Sequence, residues 1–280
     1  MEKWNYIYNN FDPVAFEIFG FPVHWYGLMY VLALLSAMWF AMHIVKKDRL
    51  GIEKPVLEAY FLWVEIGVIV GARLGYILFY DPNTLYYLTR PWQMFNPFVG
   101  GEFVGIRGMS YHGAFIGFFL STWGFAKFKN VSFLNLLDIV GISVPLGYVF
   151  GRIGNFLNQE LIGRATDLDI GIYVAGIKRH PSQLYEAVLE GVLLFFIIYW
   201  YRTRATFAGE LAAIYGVGYS LTRFIAEFYR APDSHLGFIA LGLSMGQLLS
   251  LLMGAISLGL YFYWKKLAKP SMWAKTSTKI

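Results

Sequence analysis

The segment FLNLLDIVGISVPLGYVF (Phe133–Phe150) runs directly into GRIGNFLNQE (Gly151–Glu160). The first half is mostly apolar, with Asn135, Asp138 and Ser143 as exceptions, and predicts a membrane-crossing helix, which takes about 20 apolar residues. The second half places Arg152, Asn155, Asn158, Gln159 and Glu160 together at the end of that run. Unpaired polar groups are strongly disfavoured in hydrocarbon. Five of them at a membrane boundary point to a site for a polar, anionic head group.

The rest of the chain is built like the first half. Its 280 residues are 57% hydrophobic and 19% aromatic but only 15% charged, against about 25% charged in soluble domains. The expected fold class is therefore all-α, a polytopic integral membrane protein. The N-terminal stretch Met1–Pro22 is polar, with Glu2, Asp12 and Glu17, so no cleavable signal peptide is expected. Cysteine is absent, which excludes disulfides, thiolate catalysis and Cys-metal sites.

Seven apolar runs are candidate spans: Trp25–Val45, Leu57–Tyr80, Met109–Ala126, Phe133–Phe150, Leu184–Tyr201, Leu211–Phe228 and Ile239–Trp264. Basic clusters follow every odd run. They are Lys46, Lys47, Arg49 and Lys54; Lys127 and Lys129; Arg202 and Arg204; and Lys265, Lys266, Lys269, Lys275 and Lys279. The positive-inside rule makes that side cytoplasmic, with the N-terminus outside and the C-terminus inside. The expected organisation is one membrane domain over residues 1–280, with residues 265–280 a basic, mostly disordered tail. The outer loops Asp81–Gly108, Gly151–Gln183 and Tyr229–Phe238 are the longer or compositionally richer ones, and loops of that kind tend to carry function. Within the first, Tyr86–Phe98 reads as an interfacial element or as an aromatic belt. Gly67, Gly71 and Gly75, together with Gly113/Gly117 and Gly147/Gly151, are spaced for close helix packing.

Ionisable residues inside spans are candidates for function. Here they are Glu58, Glu65, Arg73, Asp138, Glu186, Glu190, Arg223 and Glu227. Tyr219, Arg223 and Glu227 share one helix face at four-residue spacing, and Arg230 roughly continues it. Glu186 and Glu190 are one turn apart and need a cation or a proton between them, with Arg73 as one possible partner. Asp138 reads as a solvated or capping residue. His112, in GMSYHGAFIG, falls near the same outer boundary as Arg152, Arg230 and Tyr26. Arginine forks suit phosphate, and a histidine moves protons near neutral pH. The His residues lack metal-ligand spacing, and neither a nucleotide loop nor a serine nucleophile elbow is present. No cofactor, metal or nucleic-acid partner is expected.

Six segments then resemble, in order, the phosphatidylglycerol–prolipoprotein diacylglyceryl transferase family. They are HWYGLMY (His24–Tyr30), GARLGY (Gly71–Tyr76), GMSYHGAFIG (Gly108–Gly117), GRIGNFLNQELIG (Gly151–Gly163), HPSQLYE (His180–Glu186) and RFIAEFYRAPD (Arg223–Asp233). Gln159 stands where other members place a Gly. The resemblance implies an enzyme of the bacterial inner membrane with its site towards the outer side. It would transfer the diacylglyceryl group of phosphatidylglycerol to the lipobox cysteine thiol of a prolipoprotein signal region, leaving a thioether and glycerol 1-phosphate. It also implies His112, Arg152 and Arg223 as catalytic residues. Tyr26, Asn155, Glu160, Gly163, Tyr219, Glu227 and Arg230 would join Arg152 in binding the lipid. A transporter or channel for an anionic small molecule is the alternative, and it needs polar residues continuing through the cytoplasmic half.

Overall fold

The computed structural model describes residues 2–10, 12–103, 105–232 and 237–274, and it is mostly helical. Among the described residues seven long helices follow one another: α1 (Trp25–Lys47), α2 (Lys54–Phe79), α3 (Tyr111–Phe128), α4 (Phe133–Leu157), α5 (Ser182–Arg204), α6 (Glu210–Ala226) and α7 (Met245–Leu267). Helices are expected because every backbone donor and acceptor in hydrocarbon must find a partner within the segment. Among the described residues, α1, α2, α4, α5 and α7 are long and apolar enough to cross a membrane. The third and sixth runs form helices of 18 and 17 residues.

Among the described residues four two-stranded antiparallel hairpins punctuate the helices: β1–β2 (Val14–Ile18, Phe21–His24), β3–β4 (Phe98–Val99, Glu102–Phe103), β5–β6 (Ile172–Val174, Ile177–Arg179) and β7–β8 (Phe238–Ala240, Leu243–Ser244). They show up as corrections at the run boundaries. The last helix begins at Met245 rather than Ile239, because Ser244 and Gln247 form a capping box there. The fourth helix continues to Leu157, so Gly151, Arg152 and Asn155 are helical residues and not boundary loop.

The chain forms two compact units, one of Met1–Leu50 with Leu137–Ile280, the other of Gly51–Leu136. In the second unit, α2 and α3 meet along glycines. A Cβ on Gly71 would lie 2.4 Å from the Gly113 carbonyl oxygen, and one on Gly117 would lie 2.2 Å from that of Gly67. Dispersion over such close backbones replaces the missing hydrophobic drive in lipid. Replacing Gly71 with Leu is expected to separate the pair and cost about 1–3 kcal/mol or more, read as a lowered thermal midpoint in detergent. Arg73, on α2, donates to the carbonyls of Met94, Arg107 and Gly108. It ties down the following loop, and its hydrogen bonds do not go to Glu186 or Glu190.

In the first unit, Gly147 brings α4 against α1, where a Cβ would sit 2.6 Å from the Ala33 carbonyl. Among the described residues, nothing beyond its own helix lies within 4 Å of the Cβ position of Gly151, so the second glycine of that pair shows no such close approach. Asp138 is fully buried rather than solvated. It accepts from the amides of Gly209 and Ala212 at 2.8 and 3.0 Å and so caps the start of α6. The N-terminal residues also pack: Tyr8, Phe156 and Ile172 form a small core, and the Trp4 indole donates to the Ile170 carbonyl at 2.8 Å.

The expected disordered tail is corrected over its first part. Trp273 is fully buried, and its indole donates to Asp48, which also holds Arg202, each at 2.8 Å. The Ala208 amide donates to the Lys269 carbonyl at 2.8 Å and the Ser271 amide to the Thr206 carbonyl at 3.2 Å, which tie the strap down. Lys275 and Lys279 lie outside the described residues, as does Asp233 at the end of the sixth motif.

Candidate active site

Four elements of the first unit bring charge to one place. From α4, Arg152 and Asn155 lie on adjacent turns. Arg152 Nε donates to the Tyr148 hydroxyl at 2.7 Å and pairs with Glu186 Oε2 at 2.9 Å. Its Nη1 donates to Asn155 Oδ1 at 3.0 Å, and Asn155 Nδ2 donates onward to Glu160 Oε1 at 2.8 Å. The Tyr148 ring also lies under the guanidinium, 4.7 Å away. The rotamer of Arg152 is thus held on two sides, and its Nη2 makes no hydrogen bond among the described residues.

From α6 comes Arg223. Its Nη1 lies 2.9 Å from Glu186 Oε2 and 3.7 Å from Glu190 Oε1, and its Nη2 donates to Glu227 Oε2 at 2.7 Å. Glu227 is held from behind by the Ser244 hydroxyl at 3.0 Å and by α7, where a Cβ on Gly246 would strike its carboxyl at 2.6 Å. Arg230 Nη1 reaches Glu186 Oε1 at 3.7 Å. Arg230 also lines a cavity of about 420 Å³ with Leu161, Ile162, Arg179 and Pro232.

Glu186 is the hub: one carboxylate, 1% exposed, between three guanidiniums from α4, α6 and the segment after α6. The arginines keep 13–15% of their side chains accessible, so each guanidinium-bearing side chain is part-open. Glu190 completes the cluster and accepts from the Tyr148 hydroxyl. It lies in a π-helical turn, Ala187–Leu193, which interrupts α5; such turns are frequent at functional sites. Gly191 lets α4 approach there, because a Cβ would meet Val149 Cγ2 at 2.5 Å.

The remaining predicted residues fall as follows. Tyr26 opens α1 and stands beside Gly154 of α4, with Glu160 and Arg152 within electrostatic reach; its hydroxyl has no hydrogen-bond partner among the described residues. Tyr219 packs edge-on against Tyr148 at 5.8 Å. Gly163 is wedged between two backbones: a Cβ would lie 2.3 Å from the His180 carbonyl and 2.8 Å from that of Tyr229. Any side chain there would push apart the strands that carry Arg230, so its reason is steric. His180 stacks edge-on with Tyr185 and Tyr229, and burial lowers its imidazole pKa from the ordinary value. His112 belongs to the second unit, is exposed, and has its Nδ1 3.2 Å from the Tyr80 hydroxyl.

Tyr148, Glu190, Ser244 and Gly246 were not predicted as site residues. Glu186 and Glu190 carried a signal, two acids one turn apart in an apolar run, but their partners were not Arg73. Tyr148 carried none, since a tyrosine in an aromatic-rich span is unremarkable. Among the described residues no group of His, Asp or Glu is placed to hold a metal ion.

An apolar helical scaffold holding a cluster of part-open arginines against buried carboxylates defines a membrane protein with an anion-handling site. Residues 13–263 match the family described as prolipoprotein diacylglyceryl transferase. The chain is 60% identical over 269 residues to the phosphatidylglycerol–prolipoprotein diacylglyceryl transferase of Campylobacter lari, covering 96% of this chain and 99% of that relative. It is 62% identical to the same-named protein of Wolinella succinogenes, over 94% of this chain and 97% of the other, and 59% identical to that of Campylobacter curvus, over 95% and 98%. The chain belongs to the prolipoprotein diacylglyceryl transferase family.

Proposed function

We propose that this protein is a transferase that moves the diacylglyceryl group of phosphatidylglycerol onto the lipobox cysteine thiol of a prolipoprotein, the first step of bacterial lipoprotein maturation. Near-complete coverage of same-named relatives at about 60% identity carries the reading. The part-open arginine cluster supports it chemically. The nucleophile belongs to the acceptor, in keeping with a chain that has no cysteine.

In the step itself, the thiol sulfur attacks the glyceryl carbon bonded to the phosphate oxygen. The C–S bond forms as the C–O bond breaks, and the electron pair leaves with glycerol 1-phosphate. The unpartnered Nη2 of Arg152 and the exposed edges of Arg223 and Arg230 hold the phosphate and stabilise the charge that grows on it. Tyr26, Asn155 and Glu160 orient the head group or Arg152, Tyr219 and Glu227 brace Arg223, and Gly163 keeps room for Arg230. His112 takes the proton from the thiol, which at a free pKa of about 8.5 is mostly neutral at pH 7. The chain forms one membrane domain crossing the inner membrane seven times, N-terminus outside and basic C-terminus in the cytoplasm, with the site towards the outer side.

The test is direct. Purified protein, phosphatidylglycerol and a lipobox peptide are expected to release glycerol phosphate; no release from folded protein would overturn the reading. Replacing His112 with Gln is expected to lower turnover about 10²–10⁴-fold at neutral pH. Full activity in that variant would leave leaving-group activation by the arginines as the main chemistry and remove His112 as the base.

A further inference from the structure

Glu190 is a buried carboxyl that the transfer scheme above does not use. Its side chain is 0% exposed. The groups that face it are Tyr148 and Arg152 from α4, Arg223 from α6, and Glu186 one turn away on its own helix, with Tyr219 of α6 packed edge-on against Tyr148. Arg230 and Glu227 lie one contact further out, each through a partner already named.

Counting charge around this cluster shows a mismatch. With every group ionised, the guanidiniums of Arg152, Arg223 and Arg230 are balanced by Glu186, Glu190 and Glu227. Glu160, part-buried, adds a further acid, and Arg164, whose guanidinium donates to the carbonyls of Glu227 and Arg230, adds a further cation. A bound phosphodiester brings one more negative charge. Uncompensated charge in a water-poor site is costly, and such sites neutralise a group instead. One carboxyl therefore has to be neutral when lipid is bound.

The geometry selects which. Glu186 has two guanidinium contacts at 2.9 Å and a third at 3.7 Å. Glu227 has Arg223 at 2.7 Å and the Ser244 hydroxyl at 3.0 Å. Glu190 has one hydrogen bond, from Tyr148, and its nearest cation is at 3.7 Å. Its Oε1, like both oxygens of Glu186, makes no hydrogen bond among the described residues, but Glu186 has two guanidiniums at 2.9 Å where Glu190 has none that near. That is a poor setting for an anion and a suitable one for an acid whose second oxygen still accepts from Tyr148.

We propose that Glu190 is a positioning residue that carries a proton while the phosphodiester is bound, so that Arg152 and Arg223 direct their charge to the phosphate. The proposal rests on the transferase reading above. Tyr148 is its coupling element, because one hydroxyl accepts from Arg152 Nε and donates to Glu190.

The experiment measures KM for phosphatidylglycerol in lipid nanodiscs, at saturating lipobox peptide, from mildly acidic to alkaline pH. In the unaltered protein KM rises with pH, by about tenfold per unit once Glu190 ionises, because binding requires its protonated form. In Glu190→Gln, which stays neutral and keeps the hydrogen bond to Tyr148, that rise is lost. In Tyr148→Phe the rise persists, with KM higher several-fold throughout, because Arg152 Nε loses a partner. A flat profile in the unaltered protein, or the same slope in Glu190→Gln, overturns the assignment. So does a slope that vanishes in Tyr148→Phe yet survives in Glu190→Gln. Failure of the unaltered, folded protein to release glycerol phosphate at any pH refutes the transferase reading itself, whereas normal release with equal slopes refutes only the role of Glu190.

Discussion

Arg152→Ala is expected to lower kcat/KM for transfer by about 10²–10³-fold, the loss usual when one preorganised donor to a developing oxyanion is removed. Two effects add. The Nη2 that makes no hydrogen bond among the described residues disappears. The Tyr148 hydroxyl, Asn155 and Glu186 also lose a shared cation, so the residues that shape the pocket relax. Arg152→Lys separates them: it restores a charge near Glu186 but cannot engage Tyr148, Asn155 and a phosphate in one plane. It is expected to recover stability more than activity. Release of glycerol phosphate and equilibrium binding of phosphatidylglycerol are the two readouts. A variant that binds lipid normally but fails to turn over would remove the clamp role.

Glu186→Ala has the largest expected effect on stability. Three guanidiniums share this carboxylate, and Arg230 has no other acidic partner among the described residues. Breaking a buried pair by deleting one partner costs about 3–5 kcal/mol, because the surviving charge stays buried. Here three like charges are left facing one another. The thermal midpoint in detergent should fall accordingly, and activity with it. Glu186→Gln should fall between the two, since it keeps hydrogen-bond acceptance without charge. An unchanged midpoint in the Ala variant would mean that the arginines are held by something other than this carboxylate.

Much of the candidate site could be read along the chain. Arg152, Asn155 and Glu160 stand out because they are polar at the end of an apolar run, and the structure links them in one hydrogen-bonded line. Arg223, Glu227 and Arg230 stand out by helical spacing, and Arg223 and Glu227 do pair. The anchors were harder to see. Ser244 and Gly246 back Glu227 from a helix whose start was placed several residues too early. The buried strap around Trp273 looked like a lysine-rich tail, because a few apolar residues among lysines carry no periodic signal.

Hydropathy and the scarcity of charge are local properties. They were enough to establish a helical, membrane-spanning chain, since hydrocarbon accepts little else. The ordered motifs were enough to indicate the family. Which carboxylate meets which guanidinium is not local. Along the chain Arg73 is one possible partner of Glu186, and the packing of α4, α5 and α6 places that carboxylate between Arg152, Arg223 and Arg230. In a medium of low dielectric, a few ångströms decide whether a charge is compensated. Those ångströms are set by where glycines let helices close and where a π-turn rotates Glu190, and neither can be read from residue order.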